Sequence, residues 1–85
     1  MFFVYIIESA STQNWYYGYT ERVEKRIEEH NSNHNHYTAN KGPWTLIFLR
    51  QFKVKREALT FEKKLKSLRN KAFITREFAQ YFLKR

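Results

Sequence analysis

Two short aromatic segments on either side of a polar turn constrain this chain more than anything else in it. Residues 2–7 are Phe, Val, Tyr and Ile, all strand formers and apolar on both faces, which predicts a strand covered from two sides. Residues 9–14 are a polar turn, and residues 15–19 (Trp-Tyr-Tyr-Gly-Tyr) resume the aromatic character, so a β-hairpin is the economical reading. Side chains alternate along strands, so a register that sets Tyr5 near Gly18 and Ile7 near Tyr16 places Tyr5 and Tyr16 on one face. A slip of one residue would put them on opposite faces.

Helices fill most of the remainder. Thr20 is the expected N-cap of a helix from Glu21 to about His30, with Glu21 at its positive end and paired to Lys25. Val23 and Ile27 form its apolar stripe, while Arg26 and His30, at i,i+4 spacing, share a second line and can converge on one ligand. Residues 31–43 are polar and Asn-rich and read as a loop with one helical turn at most. A third strand is expected over residues 45–52. A second helix follows from about Arg56 to Asn70, with Ala58, Phe61, Leu65 and Leu68 on its inner side. The last helix is expected to start near Thr75 and to bury Phe78, Tyr81 and Phe82.

Composition bounds the classes of function. A chain of 85 residues is expected to form one small domain spanning residues 1–85, and its 19% aromatic content lets few residues build a dense core. Cysteine is absent, which excludes a disulfide framework and a thiolate metal site. Sixteen Lys and Arg against eight Asp and Glu give a net charge of +8, the electrostatic footprint of a polyanionic partner. The apolar start is too short to span a bilayer and has no basic region before it, so neither membrane insertion nor secretion is expected and the location is taken as cytoplasmic. His30, His34 and His36 raise the question of zinc, but a closed soft site would ordinarily add cysteine, and zinc is not expected. Trp15, Trp44 and Phe48 read as core or interface rather than as base-stacking platforms.

Glu62 is the singular carboxylate. It lies at i+4 from Ala58 and i−3 from Leu65, at the border of the buried stripe, whereas Lys63, Lys64 and Lys66 fan toward water. A carboxylate at the edge of a core needs a cation, a hydrogen-bond donor or a metal, and a salt bridge to a nearby Lys or Arg is the plain alternative to a metal.

These residues in this order resemble the GIY-YIG nuclease domain family, in particular the small single-domain group similar to the N-terminal nuclease domain found in bacterial excinuclease ABC. The first motif stands here as Phe3-Val4-Tyr5 and the second as Tyr16-Tyr17-Gly18. The Arg26…His30 helix, the Tyr37-Thr38 segment before Pro43, and Glu57-Ala58 with Glu62 follow in the family's order and cover nearly the whole chain. The resemblance implies an α+β fold, a small three-stranded antiparallel sheet flanked by helices. It implies that Tyr5 and Tyr16 are the motif tyrosines, one of which takes a proton from the attacking water or positions it. It further implies that Arg26 contacts the scissile phosphate and that His30 stands where the family carries His or Tyr. Glu62 would bind a single divalent metal, Mg²⁺ or Mn²⁺.

Attack on a phosphodiester builds negative charge that a guanidinium and a metal stabilise, and Mg²⁺ accepts one carboxylate plus waters and substrate oxygens. Nearby Arg26 and metal charge are expected to favour a tyrosine phenolate. Phe3 and Val4 replace the first motif's Gly and Ile, Tyr19 follows Gly18, and Asn70 does not clearly match the polar residue that follows the metal glutamate in many members. The expected activity is metal-dependent DNA endonuclease chemistry in repair or recombination. The alternatives are a non-catalytic basic nucleic-acid-binding module and a repair adaptor. Many relatives carry a separate DNA-binding domain and this sequence shows none. Target choice, with branched and single-stranded DNA as the candidates, is therefore expected to depend on DNA structure or on a partner protein.

Overall fold

The computed structural model describes residues 1–33 and 37–83. Three strands form one antiparallel sheet: β1 (Phe2–Ser9), β2 (Trp15–Thr20) and β3 (Trp44–Phe52), in spatial order β2-β1-β3. Helix α1 (Val23–Asn31) covers one face, and α2 (Lys55–Leu68), α3 (Lys71–Glu77) and a 3-10 turn at Ala79–Tyr81 cover the other. The expected three-stranded sheet flanked by helices is therefore the observed architecture. The hairpin register sets Tyr5 opposite Gly18 and Ile7 opposite Tyr16, the pairing that puts the two tyrosines on one face.

β1 is central and covered on both sides, as its apolar run requires, and Val4, Tyr5, Ile6 and Ile7 are all buried. Val4 and Ile6 point toward α2, where they pack with Phe48, Phe61, Leu65 and Ile74. Tyr5 and Ile7 point the other way and pack with Trp44, Tyr16 and Ile27. Between β1 and β3 the register shifts at Ile6/Ile7, so that Ile47 is the extra residue of a β-bulge and turns into the α2-side core. Trp44 and Phe48 are core residues, and Trp15 packs on the core's edge.

Local boundaries differ from expectation in three places. Thr20 does not cap α1. It ends β2, and its hydroxyl accepts from the Arg22 amide (3.0 Å), so a short turn intervenes and the helix starts at Val23. Glu21 consequently lies ahead of the helix, where it accepts a bond from the Tyr19 hydroxyl (3.4 Å), and no Glu21–Lys25 ion pair forms among the described residues. Helix α2 ends at Leu68 rather than Asn70, because Arg69 adopts the left-handed conformation (φ 49°). Asn70 instead caps α3, its side chain accepting from the Phe73 amide (2.9 Å), so the last helix begins at Lys71 and not near Thr75. Phe78, Tyr81 and Phe82 do pack against the core as expected.

Candidate functional site

The α1-facing side of the sheet holds the polar groups that an apolar core would exclude. His30, on the last turn of α1, is fully buried between the two motif tyrosines. Its ring centroid lies 4.8 Å from that of Tyr16 and 5.8 Å from that of Tyr5. Its Nε2 is 2.8 Å from the Tyr5 hydroxyl, and its Nδ1 is 2.8 Å from the Thr38 hydroxyl. With the proton on Nδ1, the imidazole donates to Thr38 Oγ1 and accepts from the Tyr5 O–H.

Thr38 is fixed in turn. It is buried, and its carbonyl accepts from the Trp44 indole N–H at 3.1 Å. The Asn31 side chain grips the Trp44 backbone on both sides, accepting from its amide (2.6 Å) and donating to its carbonyl (3.1 Å). The start of β3, the end of α1 and the polar loop are thus tied around one histidine. The Tyr37-Thr38 segment belongs to the sequence pattern, but the supporting role of Thr38 does not show there, because a threonine in an Asn-rich loop carries no periodic signal.

Gly18 explains how the phenol of Tyr5 gets where it is. Tyr5 stands on the central strand, and its ring tip lies across Gly18 of the edge strand β2, where any Cβ would overlap the ring carbons and the hydroxyl. The glycine is needed for this close approach and not for an unusual φ.

Arg26 sits one turn before His30 on α1. Its Nε is 3.8 Å from the Glu29 carboxylate, a loose pair in which side chains are 40% and 36% exposed, so the guanidinium stays available to a ligand. A cleft of about 360 Å³ opens beside it, lined by Thr20, Glu21, Arg22, Lys25, Arg26 and Glu29. Glu62, on α2, lies close enough for its charge to act on Tyr5, as do those of Arg26 and Glu29. The Glu62 side chain is 17% exposed and pairs with Lys66 at 3.4 Å. Lys66 therefore turns back toward α2 instead of only fanning into water.

Burial decides the protonation states. Desolvation pushes the Tyr5 hydroxyl well above its ordinary value of 10.0, reinforced by Tyr16; Arg26 opposes the shift, and Glu62 and Glu29 add to it. Arg26 acts in the expected direction, toward the phenolate, but desolvation of the buried ring outweighs the guanidinium alone. His30 moves below its ordinary 6.5, mainly through desolvation and secondarily through Arg26, with Glu29 opposing. The pair is therefore a neutral phenol facing a neutral imidazole.

Hard oxygen donors suit Mg²⁺ or Mn²⁺, and one such carboxylate, Glu62, is present at this edge. No group of three or more His, Cys, Asp or Glu that could cage a metal exists among the described residues. A divalent ion here would keep most of its waters and share the remaining positions with substrate. His34 and His36, considered for zinc, lie outside the described residues.

A family model described as the GIY-YIG catalytic domain matches residues 1–77, which includes every residue of this site. The chain belongs to the GIY-YIG catalytic domain family. Within that nuclease family it is similar to the UPF0213 protein BH0048 of Halalkalibacterium halodurans, 39% identical over 67 residues (78% of this chain, 70% of the relative). It is also similar to the UPF0213 protein YazA of Bacillus subtilis, 37% identical over 70 residues (81% and 70%). The solution NMR structure of BH0048 matches with a TM-score of 0.58 at 33% identity, covering 94% of this chain and 85% of that one. Membership in the GIY-YIG family implies nucleic-acid binding and divalent-metal chemistry. No helix among the described residues is long and apolar enough to cross a membrane.

Proposed function

We propose that this GIY-YIG domain is a DNA endonuclease that hydrolyses phosphodiester bonds with one divalent cation, Mg²⁺ or Mn²⁺, held by Glu62. The observation that carries this reading is the buried Tyr5–His30–Thr38 chain, ending in a phenol laid across Gly18 at the sheet edge. A core has no need of a desolvated histidine bonded at both ring nitrogens, and burying such groups costs free energy unless every bond is made.

Arg26 would bind a non-bridging oxygen of the scissile phosphate, its guanidinium matching the charge that grows there. The bound ion would supply Lewis-acid stabilisation of the same phosphate. Water attacks phosphorus, forming a new O–P bond as the P–O bond to the leaving sugar oxygen breaks. The water's proton passes to the Tyr5 oxygen while the Tyr5 proton passes to Nε2 of neutral His30. Thr38 Oγ1 accepts from Nδ1–H and steadies the imidazolium; the leaving oxygen takes its proton from solvent. This relay needs no free phenolate, which suits the raised pKa of Tyr5. Tyr16, half-buried beside His30, orients the incoming water.

The test is incubation of the purified chain with plasmid, branched and single-stranded DNA, with Mg²⁺, Mn²⁺ or chelator, alongside Glu62→Ala and Arg26→Ala. Metal-dependent nicking that both substitutions abolish while binding survives is the expected result. Salt-sensitive binding without cleavage of any substrate would support a binding module instead. A role in DNA repair or recombination follows from this reading if branched DNA is the preferred substrate.

A further inference from the structure

Helix α2 presents different chemistry on its two flanks. Glu62 lies on the flank facing β2, the side on which Lys55 sits over the Tyr19 ring (6.0 Å). The opposite flank faces β3, and there a groove of about 610 Å³ opens between the helix and the end of the strand. Arg50, Lys53, Arg56 and Lys64 line it above the rings of Phe52 and Phe61, with Glu57 the one carboxylate in its wall. None of these four cations takes part in an ion pair among the described residues.

Arg50 is the distinctive member. Its guanidinium lies 4.5 Å from the Phe61 ring centroid and 4.7 Å from those of Phe52 and Tyr81. Three rings hold it by cation–π attraction, which fixes the group without consuming its N–H donors. An arginine serving only to neutralise a carboxylate would be built differently.

We propose that this groove is a second nucleic-acid site, binding the phosphodiester backbone of the strand whose scissile phosphate is held at the Tyr5 edge. The proposal rests on the nuclease reading for its purpose, and on the groove alone for its chemistry. Phosphates meet Lys53, Arg56 and Lys64, and the ring-held guanidinium of Arg50 keeps its N–H donors for a phosphate oxygen. A helix is about 10–12 Å across with its side chains, so a strand passing over α2 would touch both flanks within a few nucleotides. The excess of cations over the single carboxylate selects a polyanion, and the fixed guanidinium fork matches the geometry of phosphodiester oxygens.

The experiment measures anisotropy of a fluorescein-labelled oligothymidine bound by the full chain over a salt series, with chelator present so that no cleavage occurs. Arg56→Gln/Lys64→Gln is compared with the matched control Lys41→Gln/Arg76→Gln, which removes the same charge outside the groove; all four positions are exposed. The groove variant is expected to bind roughly tenfold more weakly, with the salt slope reduced by about 1.4, while the control changes neither by as much. Lys53→Gln alone should reduce the slope by about 0.7. Equal losses in the groove variant and the control, or no binding by the wild type, would overturn the proposal. Because no metal is present, this result stands whether or not the chain cleaves DNA, and failure to cleave would count against the nuclease reading alone.

Discussion

On the α2 side of the sheet, Val4, Ile6, Phe48, Phe61, Leu65 and Ile74 pack apolar surface on apolar surface. On the α1 side, Tyr5, Ile7 and Trp44 pack around a histidine and a threonine that hydrogen-bond to their neighbours. The first arrangement stabilises through area removed from water; the second is stable only while every buried polar atom keeps its partner. None of the buried side-chain nitrogens and oxygens among the described residues lacks one. A small fold can tolerate a polar interior on one face because the other is so thoroughly apolar.

The largest loss of stability is expected on the apolar side. Phe48→Ala, which removes a fully buried ring touching Phe61, Tyr81 and Phe82, should cost about 3–5 kcal/mol in urea unfolding. A loss that large would leave little stability in a chain of this size. On the polar side, Tyr5→Phe keeps the ring but leaves His30 Nε2 without its partner, and should cost about 1–3 kcal/mol by the same measurement. Gly18→Ala should cost a similar amount, about 1–3 kcal/mol, since the new methyl must displace the Tyr5 phenol, and NMR should show the His30 ring environment disturbed.

Acidity sharpens the contrast. His30 has a folded pKa below its unfolded 6.5, so its contribution is complete above that value. As pH falls through 6.5 toward the lower folded value, the unfolded state takes up the proton first and stability declines. His30→Gln should flatten that part of the stability-pH profile, whereas Phe48→Ala should lower the profile without changing its shape. The smallest effect is expected at the exposed end of the Glu62 pair. Lys66→Ala should change stability by about 0.5 kcal/mol or less and, by freeing the carboxylate, should tighten Mn²⁺ binding in calorimetry.

The strands and the hairpin are legible because aromatic runs flank a polar turn, and the observed register, unlike one slipped by a single residue, gives Tyr5 and Tyr16 the same face. The apolar stripe of α2 is legible for the same periodic reason. What stays hidden is chemistry set by local backbone bonds. Thr20 looks like a cap but serves the turn before α1, and Asn70 looks like the end of one helix but starts a new one. At the candidate site, the order of Tyr5, Tyr16, Arg26, His30 and Glu62 can be read along the chain. The burial that keeps Tyr5 and His30 neutral cannot, nor can the support from Thr38, because both arise from a loop folding back on α1.

In the proposed mechanism the Tyr5–His30 pair moves the proton of the attacking water. Single-turnover cleavage of a labelled DNA by the wild type and by Tyr5→Phe, with Mg²⁺ and protein in excess, tests it most directly. Cleavage is expected to fall by about 100-fold or more while DNA affinity is retained. Cleavage by a folded Tyr5→Phe protein at the wild-type rate would contradict it.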